Sequence, residues 1–211
     1  MGRLLFISMI LLTTLSNIQI INAQPISLEI MGGNNYGKFT MVMNKKFSEN
    51  SKFGFFHLDI IEFDYINNMD HDLMLQNLLY YEPLKNFRLT GGAFYGGKPG
   101  FKPTLGTQYS FNTKNFFLLI APRINIEENP TYDIFSLLKA ELPINNNLSI
   151  FSSIQSLNLL NKDGIIKCGQ ELRLGVDTKG YKFGLAAGFE QRGSRFEKSG
   201  NFGVFIQKEI F

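Results

Sequence analysis

Apolar and polar side chains alternate along most of this chain, and that period of two constrains the fold more than any other feature. In the clearest segment the apolar face carries Tyr181, Phe183, Leu185, Ala187 and Phe189. The opposite face of the same segment carries Lys182, Gly184, Ala186, Gly188 and Glu190. Successive side chains of a β-strand point to opposite faces, whereas a helix repeats every 3.6 residues. The chain is therefore predicted to be all-β.

Segments of this kind recur between clusters of Asn, Gly, Lys, Asp, Glu and Pro, which are typical of turns. Beyond residue 24 no apolar run is long enough for a transmembrane helix. We predict one closed antiparallel sheet of twelve strands, with ten strands as the second choice. The twelve predicted strands are residues 26–33, 37–46, 53–64, 73–82, 86–96, 101–111, 115–126, 131–142, 147–158, 165–177, 180–191 and 201–211.

The first 23 residues differ from the rest of the chain. Met1-Gly2-Arg3 is a short basic start, residues 4–15 are almost wholly apolar, and Ile21-Asn22-Ala23 offers a small-residue cleavage site. This is the pattern of a secretory signal peptide. The predicted organisation is a signal peptide at 1–23 and a single barrel domain at 24–211.

Composition helps to separate a membrane barrel from a soluble β-sandwich or lipocalin-like barrel, which would alternate in the same way. The chain holds 21 Phe and is only 18% charged, and Cys168 is its single cysteine. Aromatic side chains lie near the ends of the predicted strands, as in the girdles of transmembrane barrels. The opposite face is rich in Gly, Ser, Thr and charges of both signs, which suits a lumen. We expect a barrel in the cell outer membrane, in contact with its lipid.

The end of the chain carries a motif. In residues 201–211 the apolar positions Phe202, Val204, Ile206 and Ile210 alternate, with Lys208 interrupting them and Phe211 out of phase. This strand resembles the membrane-assembly signal of outer-membrane β-barrel proteins of Gram-negative bacteria, and the overall layout resembles small barrels of that class. The resemblance implies insertion by the barrel-assembly machinery. Either Ile210 takes the terminal position of the signal, or a bulge resets the phase for Phe211.

Charged and polar side chains opposite the apolar face are predicted to line the lumen. The candidates are Lys38, His57, Asp59, Arg88, Lys102, Arg123, Lys139, Lys167, Glu171, Arg173, Lys182 and Glu190. Such side chains either line a narrow solute path or pair with one another and fill the barrel. Lumen residues should tolerate substitution better than lipid-facing ones, so Arg173→Leu is expected to cost less than Leu174→Arg.

Little in the sequence indicates catalysis. The only histidines are His57 and His71, no Ser lies two residues from either, and His57 is expected inside the lumen, away from lipid. We predict no catalytic residue, metal site or cofactor, and the charge balance does not indicate nucleic acid. A narrow passive channel for small polar solutes is the favoured function. The alternatives are a non-conducting structural or assembly-partner barrel of the cell envelope and, third, an outer-membrane lipid-modifying enzyme.

Overall fold

The computed structural model describes residues 26–65, 72–96, 100–193 and 197–210. They form β1 (Ile26–Gly33), β2 (Tyr36–Lys46), β3 (Phe53–Asp64), β4 (Asp72–Leu84), β5 (Phe87–Gly96), β6 (Gly100–Asn112), β7 (Phe116–Asn125), β8 (Thr131–Asn145), β9 (Leu148–Asn161), β10 (Gly164–Thr178), β11 (Tyr181–Arg192) and β12 (Glu197–Ile210). The predicted strand number and order are confirmed. The predicted signal peptide, His71 and Phe211 lie outside the described residues.

Each strand pairs antiparallel with its neighbours in the sequence, and β1 pairs with β12 to close the barrel. Closure leaves no strand edge in the sheet, which is the condition for strands to cross hydrocarbon. At the closing seam a Cβ on Gly203 would lie 1.9 Å from the carbonyl oxygen of Gly32. Glycine is required there because the two backbones approach too closely for any side chain. The fold is a closed antiparallel all-β barrel.

The two ends of the barrel differ in what they carry. One end, here called the terminal end, holds Ile26, Ile210 and the connection at 179–180. In that connection Lys179 and Gly180 both have positive φ, 53° and 77°, as a two-residue type I′ hairpin requires. The opposite end, here called the loop end, holds the connections at 34–35, 126–130 and 162–163.

The outer surface of the barrel is mainly apolar. Leu185 is 66% exposed and Val204 59%, and every strand except β2 contributes at least one exposed large apolar side chain to this surface. A soluble monomer rarely exposes a continuous apolar patch larger than a few hundred Å². Tyr181 and Tyr132, near opposite ends of the barrel, lie on the same surface, where aromatic girdles meet the membrane interfaces. The outer surface is therefore the lipid face.

No helix among the described residues is long and apolar enough to cross a membrane.

The last strand keeps one phase throughout its pairing with β1. Partners run without a register shift from Gly33 and Gly203 to Ile26 and Ile210. Phe202, Val204 and Ile206 lie on the lipid face, and Ile210 shares their phase. One alternative for the assembly signal was a bulge that resets the phase of the strand. No such bulge lies between residues 203 and 210.

A charge on the lipid face should destabilise the barrel. We predict that Leu185→Arg lowers the free energy of unfolding from a bilayer by about 2–4 kcal/mol, because the guanidinium enters hydrocarbon near mid-membrane. Leu185→Phe, the matched control, should change it little. Urea titrations of protein refolded into lipid vesicles measure both variants. Equal stability of the two would contradict the assignment of this face to lipid.

Candidate functional site in the lumen

Contacts between strands that are not neighbours in the sheet identify the interior of the barrel. Arg173 on β10 contacts Glu29 on β1, and Lys182 on β11 contacts Glu141 on β8. Neither pair of strands is adjacent, so these side chains meet only by crossing the lumen. The inward face of each remaining strand then follows from its pairing register with these strands.

Five inward side chains form one continuous set of ion pairs, here called the central network: Glu62, Lys38, Glu171, Arg173 and Glu29. Arg173 donates from Nη2 to Oε1 of Glu29 at 2.6 Å, and its Nη1 lies 2.8 Å from Oε2 of Glu171. Lys38 donates to Glu171 and lies 3.8 Å from Glu62. The central network joins β3, β2, β10 and β1 and crosses the lumen. Its carboxylates share two cations, which satisfies charges that burial would otherwise make costly.

Ion pairs continue toward both ends of the barrel. At the terminal end Lys182 binds Glu141 at 2.5 Å and Glu209 at 3.0 Å, and Arg88 lies 3.3 Å from Glu82. Toward the loop end the pairs are Arg123 with Asp133 at 2.5 Å, Lys102 with Glu127 at 2.7 Å, and Lys167 with Glu190 at 2.6 Å. The hydrogen bond that Lys102 donates holds the pKa of Glu127, in the connection after β7, below its usual range. Inward charges of opposite sign are thus paired along the length of the lumen.

Apolar side chains fill the rest of the middle of the lumen. One inward cluster consists of Phe56, Leu58, Leu78 and Tyr80. A second, on the strands around the seam and on β9, consists of Met31, Phe151, Ala186 and Phe205. Leu78 and Phe151 are each only 1% exposed. A water-filled pore would leave such inward side chains accessible, so the lumen is closed by side chains at mid-height.

A cavity of about 310 Å³ lies between this closed region and the loop end. The charged part of its wall carries Lys38, Glu62, Lys102, Arg123, Asp133, Lys167, Glu171, Glu190 and Arg192. The apolar part includes Met74, Phe94 and Leu157. Its floor contains Lys38 and Glu171 of the central network. We call this cavity the vestibule.

The structure places most of the sequence-predicted lumen residues inside the barrel. Lys38, Glu171 and Arg173 meet in the central network, whereas the other inward candidates occupy separate pairs or, for Lys139, a site opposite Ser153 on β9. Glu29, the partner of Arg173, was not among the residues predicted to line the lumen. The sequence could have indicated a lumen position for Glu29, because it is the only charged residue of β1.

His57 and Asp59 were predicted to face the lumen, and this is wrong. On β3, Phe56, Leu58 and Ile60 share one face with Glu62. Glu62 lies opposite Lys38, which points into the lumen, so this face is the inward one. Apolar side chains occupy both faces of β3, so alternation there does not distinguish inside from outside. His57 and Asp59 lie on the lipid face. Within the described residues no group of three or more His, Cys, Asp or Glu side chains could hold a metal ion.

Comparison with known proteins shows the fold of outer-membrane porins. The NanC porin superposes with a TM-score of 0.54 at 8% identity, over 88% of this chain and 98% of that chain. The KdgM porin superposes with a TM-score of 0.54 at 10% identity, over 89% of this chain and all of that chain. KdgM was also solved in complex with disordered oligogalacturonate, with a TM-score of 0.52. No protein-family model and no curated protein sequence matches the chain.

The central network changes the expected effect of one substitution. Arg173→Leu was expected to cost less than Leu174→Arg, but it leaves Glu29 buried without its partner. We predict that Arg173→Leu lowers the free energy of unfolding by about 3–5 kcal/mol.

The matched control is the double variant Arg173→Leu/Glu29→Leu, which removes both charges and should cost less than the single change. Urea unfolding in lipid vesicles measures the difference. A double variant that loses as much stability as the sum of the two single variants would show that Arg173 and Glu29 are not coupled.

Proposed function

We propose that this barrel is a narrow channel for small polar solutes, entered through the vestibule and closed at mid-height by side chains. The observation that carries the proposal is the construction of the vestibule floor. Lys38 on β2 and Glu171 on β10, four strands apart in the closed sheet, meet to close it, with Arg173 and Glu29 below. These are long side chains with several rotatable bonds. Rotation of a few of them would therefore open a path without moving a strand.

The ion pairs in the floor and wall of the vestibule also limit which solutes can bind there. Lys38, Lys102, Arg123 and Lys167 each have a carboxylate within ion-pair distance. A strongly anionic oligosaccharide such as the oligogalacturonate in the KdgM complex would find these cations already neutralised. The apolar wall at Met74, Phe94 and Leu157 offers contact to the carbon skeleton of a solute. We therefore propose small solutes of low net charge.

A non-conducting structural barrel is the second candidate, and the filled lumen favours it. The inward clusters and the central network together leave Leu78, Phe151, Arg173 and Glu29 almost wholly buried. A barrel with a packed interior gains rigidity from these contacts. In that case its function would depend on its surface and connections rather than on its lumen.

Planar-bilayer recording distinguishes the two candidates. Wild-type protein should show small, rare conductance steps, because the path is closed most of the time. Glu29→Ala/Arg173→Ala removes two long charged side chains under the vestibule and leaves Glu171 paired with Lys38. We predict at least a threefold rise in mean conductance for this variant.

Leu185→Ala, on the lipid face, is the matched control and should conduct as the wild type does. Heat-modifiable migration on gels checks that all three proteins are folded. If neither the wild type nor the double variant conducts above the detergent background, the channel proposal fails and the structural barrel takes its place.

A further inference from the structure

Three polar side chains lie together on the lipid face of β3 and β4: His57, Asp59 and Asn77. Nδ1 of His57 lies 2.8 Å from Oδ1 of Asn77, and its Nε2 lies 2.9 Å from Oδ2 of Asp59. His57 and Asn77 are directly opposite each other in the register. We call these three residues the lipid-face triad.

The lipid-face triad is surrounded by apolar groups deep in the membrane. Along the same strand Phe53 and Phe63 mark the two ends of the lipid face. With about 3.3 Å per residue and a tilt of roughly 35–45°, His57 and Asp59 lie about 10–15 Å from the level of Phe53. Met43 and Met41 stand opposite them on β2, and the ring of Phe55 stacks on His57. Ionisable groups at this depth are costly and indicate a function.

Neither acid–base catalysis nor a metal explains the lipid-face triad. Both ring nitrogens of His57 face side-chain oxygens of its own chain, so neither is directed toward a substrate. The glycerol ester bonds of lipids lie at the membrane interface, far from this depth. The triad also holds only two potential metal ligands of the usual kinds.

The exposed part of the lipid-face triad is the amide of Asn77. Its side chain is exposed on the outer surface, and its Nδ2 donors have no partner within the part of the chain that the structure describes. Oδ1 uses one lone pair for His57 and has a second one free. Hydrocarbon offers no hydrogen bond to either atom. A protein partner would have to bring an amide or its equivalent to the same depth.

We propose that the lipid-face triad is the centre of a homodimer interface in the membrane, formed with a second copy of this chain. A two-fold axis along the membrane normal, passing beside Asn77, would let each amide donate from Nδ2 to Oδ1 of the other. A primary amide is self-complementary in this way, and a two-fold interface requires self-complementary groups. Two copies inserted in the same direction place Asn77 at the same depth without further adjustment.

The surface beside Asn77 permits close approach. Ala93 lies directly opposite Asn77 on β5, and Gly91 is opposite the next outward residue of β4, Leu79. Small residues at interfaces within membranes let two backbones come together. In the dimer the partner would also cover His57 and Asp59, whose Oδ1 has no hydrogen-bond partner among the described residues. The proposal is independent of conduction through the lumen.

Sedimentation equilibrium in a density-matched detergent tests the dimer with wild-type protein and Asn77→Leu. The wild type should dimerise, and the variant should raise the dimer dissociation constant at least tenfold. Leucine suits the lipid face, so the variant should fold normally. A wild type that is monomeric at all concentrations, or a variant that dimerises as well as the wild type, would overturn the proposal.

Disulfide formation in lipid vesicles tests the position of the axis. In a Cys168→Ser background, Ala93→Cys, which lies directly opposite Asn77 and leaves the amide in place, should form a covalent dimer on oxidation. Ile154→Cys, in the middle of β9 across the barrel and 53% exposed, is the matched control. We expect at least fivefold more covalent dimer for Ala93→Cys, and equal amounts would overturn the proposal.

Discussion

Pairing of β1 with β12 is the contact on which the rest of the structure depends. Hydrocarbon cannot satisfy a free strand edge, so the first and last strands must bind each other, and Gly32 with Gly203 allow their backbones to meet. Once the sheet is closed, each strand has one face toward lipid and one toward a confined interior. Inward charges must then find partners across the lumen, and the central network is the outcome. The closed middle of the lumen, the vestibule above it and the apolar outer surface all follow from closure.

Much of this fold could be predicted from alternation alone. In β11, apolar side chains from Tyr181 to Phe189 oppose Lys182 and Glu190, so one face is apolar, the other polar, and the phase is unambiguous. In β3 alternation does not distinguish the two faces, because Phe55 and Ile61 make one face as apolar as Phe56 and Leu58 make the other. The polar His57 and Asp59 then suggested the wrong phase. Only the register of β3 with Lys38 on β2 decides it, and register depends on the whole sheet.

The candidate site was less predictable than the fold. Alternation indicates that Arg173 points inward, but not that it meets Glu29, which lies 144 residues earlier in the chain. Such a contact depends on the number of strands, their tilt and the diameter of the closed barrel, none of which is a local property. For the same reason the sequence indicated mixed charge in the lumen without showing whether it fills the lumen. Predictions for residues 1–23 and for Phe211 concern parts of the chain that the structure does not describe.

The assignment of the two faces of β3 is the central claim, since it places apolar side chains in the lumen and the polar His57 and Asp59 in lipid. Spin labels attached one at a time along residues 55–61, in a Cys168→Ser background in lipid vesicles, test it most directly. Collision with oxygen, which concentrates in hydrocarbon, should be frequent for labels at Phe55, His57, Asp59 and Ile61. It should be rare for labels at Phe56, Leu58 and Ile60. The opposite alternation, with frequent collision at Phe56, Leu58 and Ile60, would contradict the account.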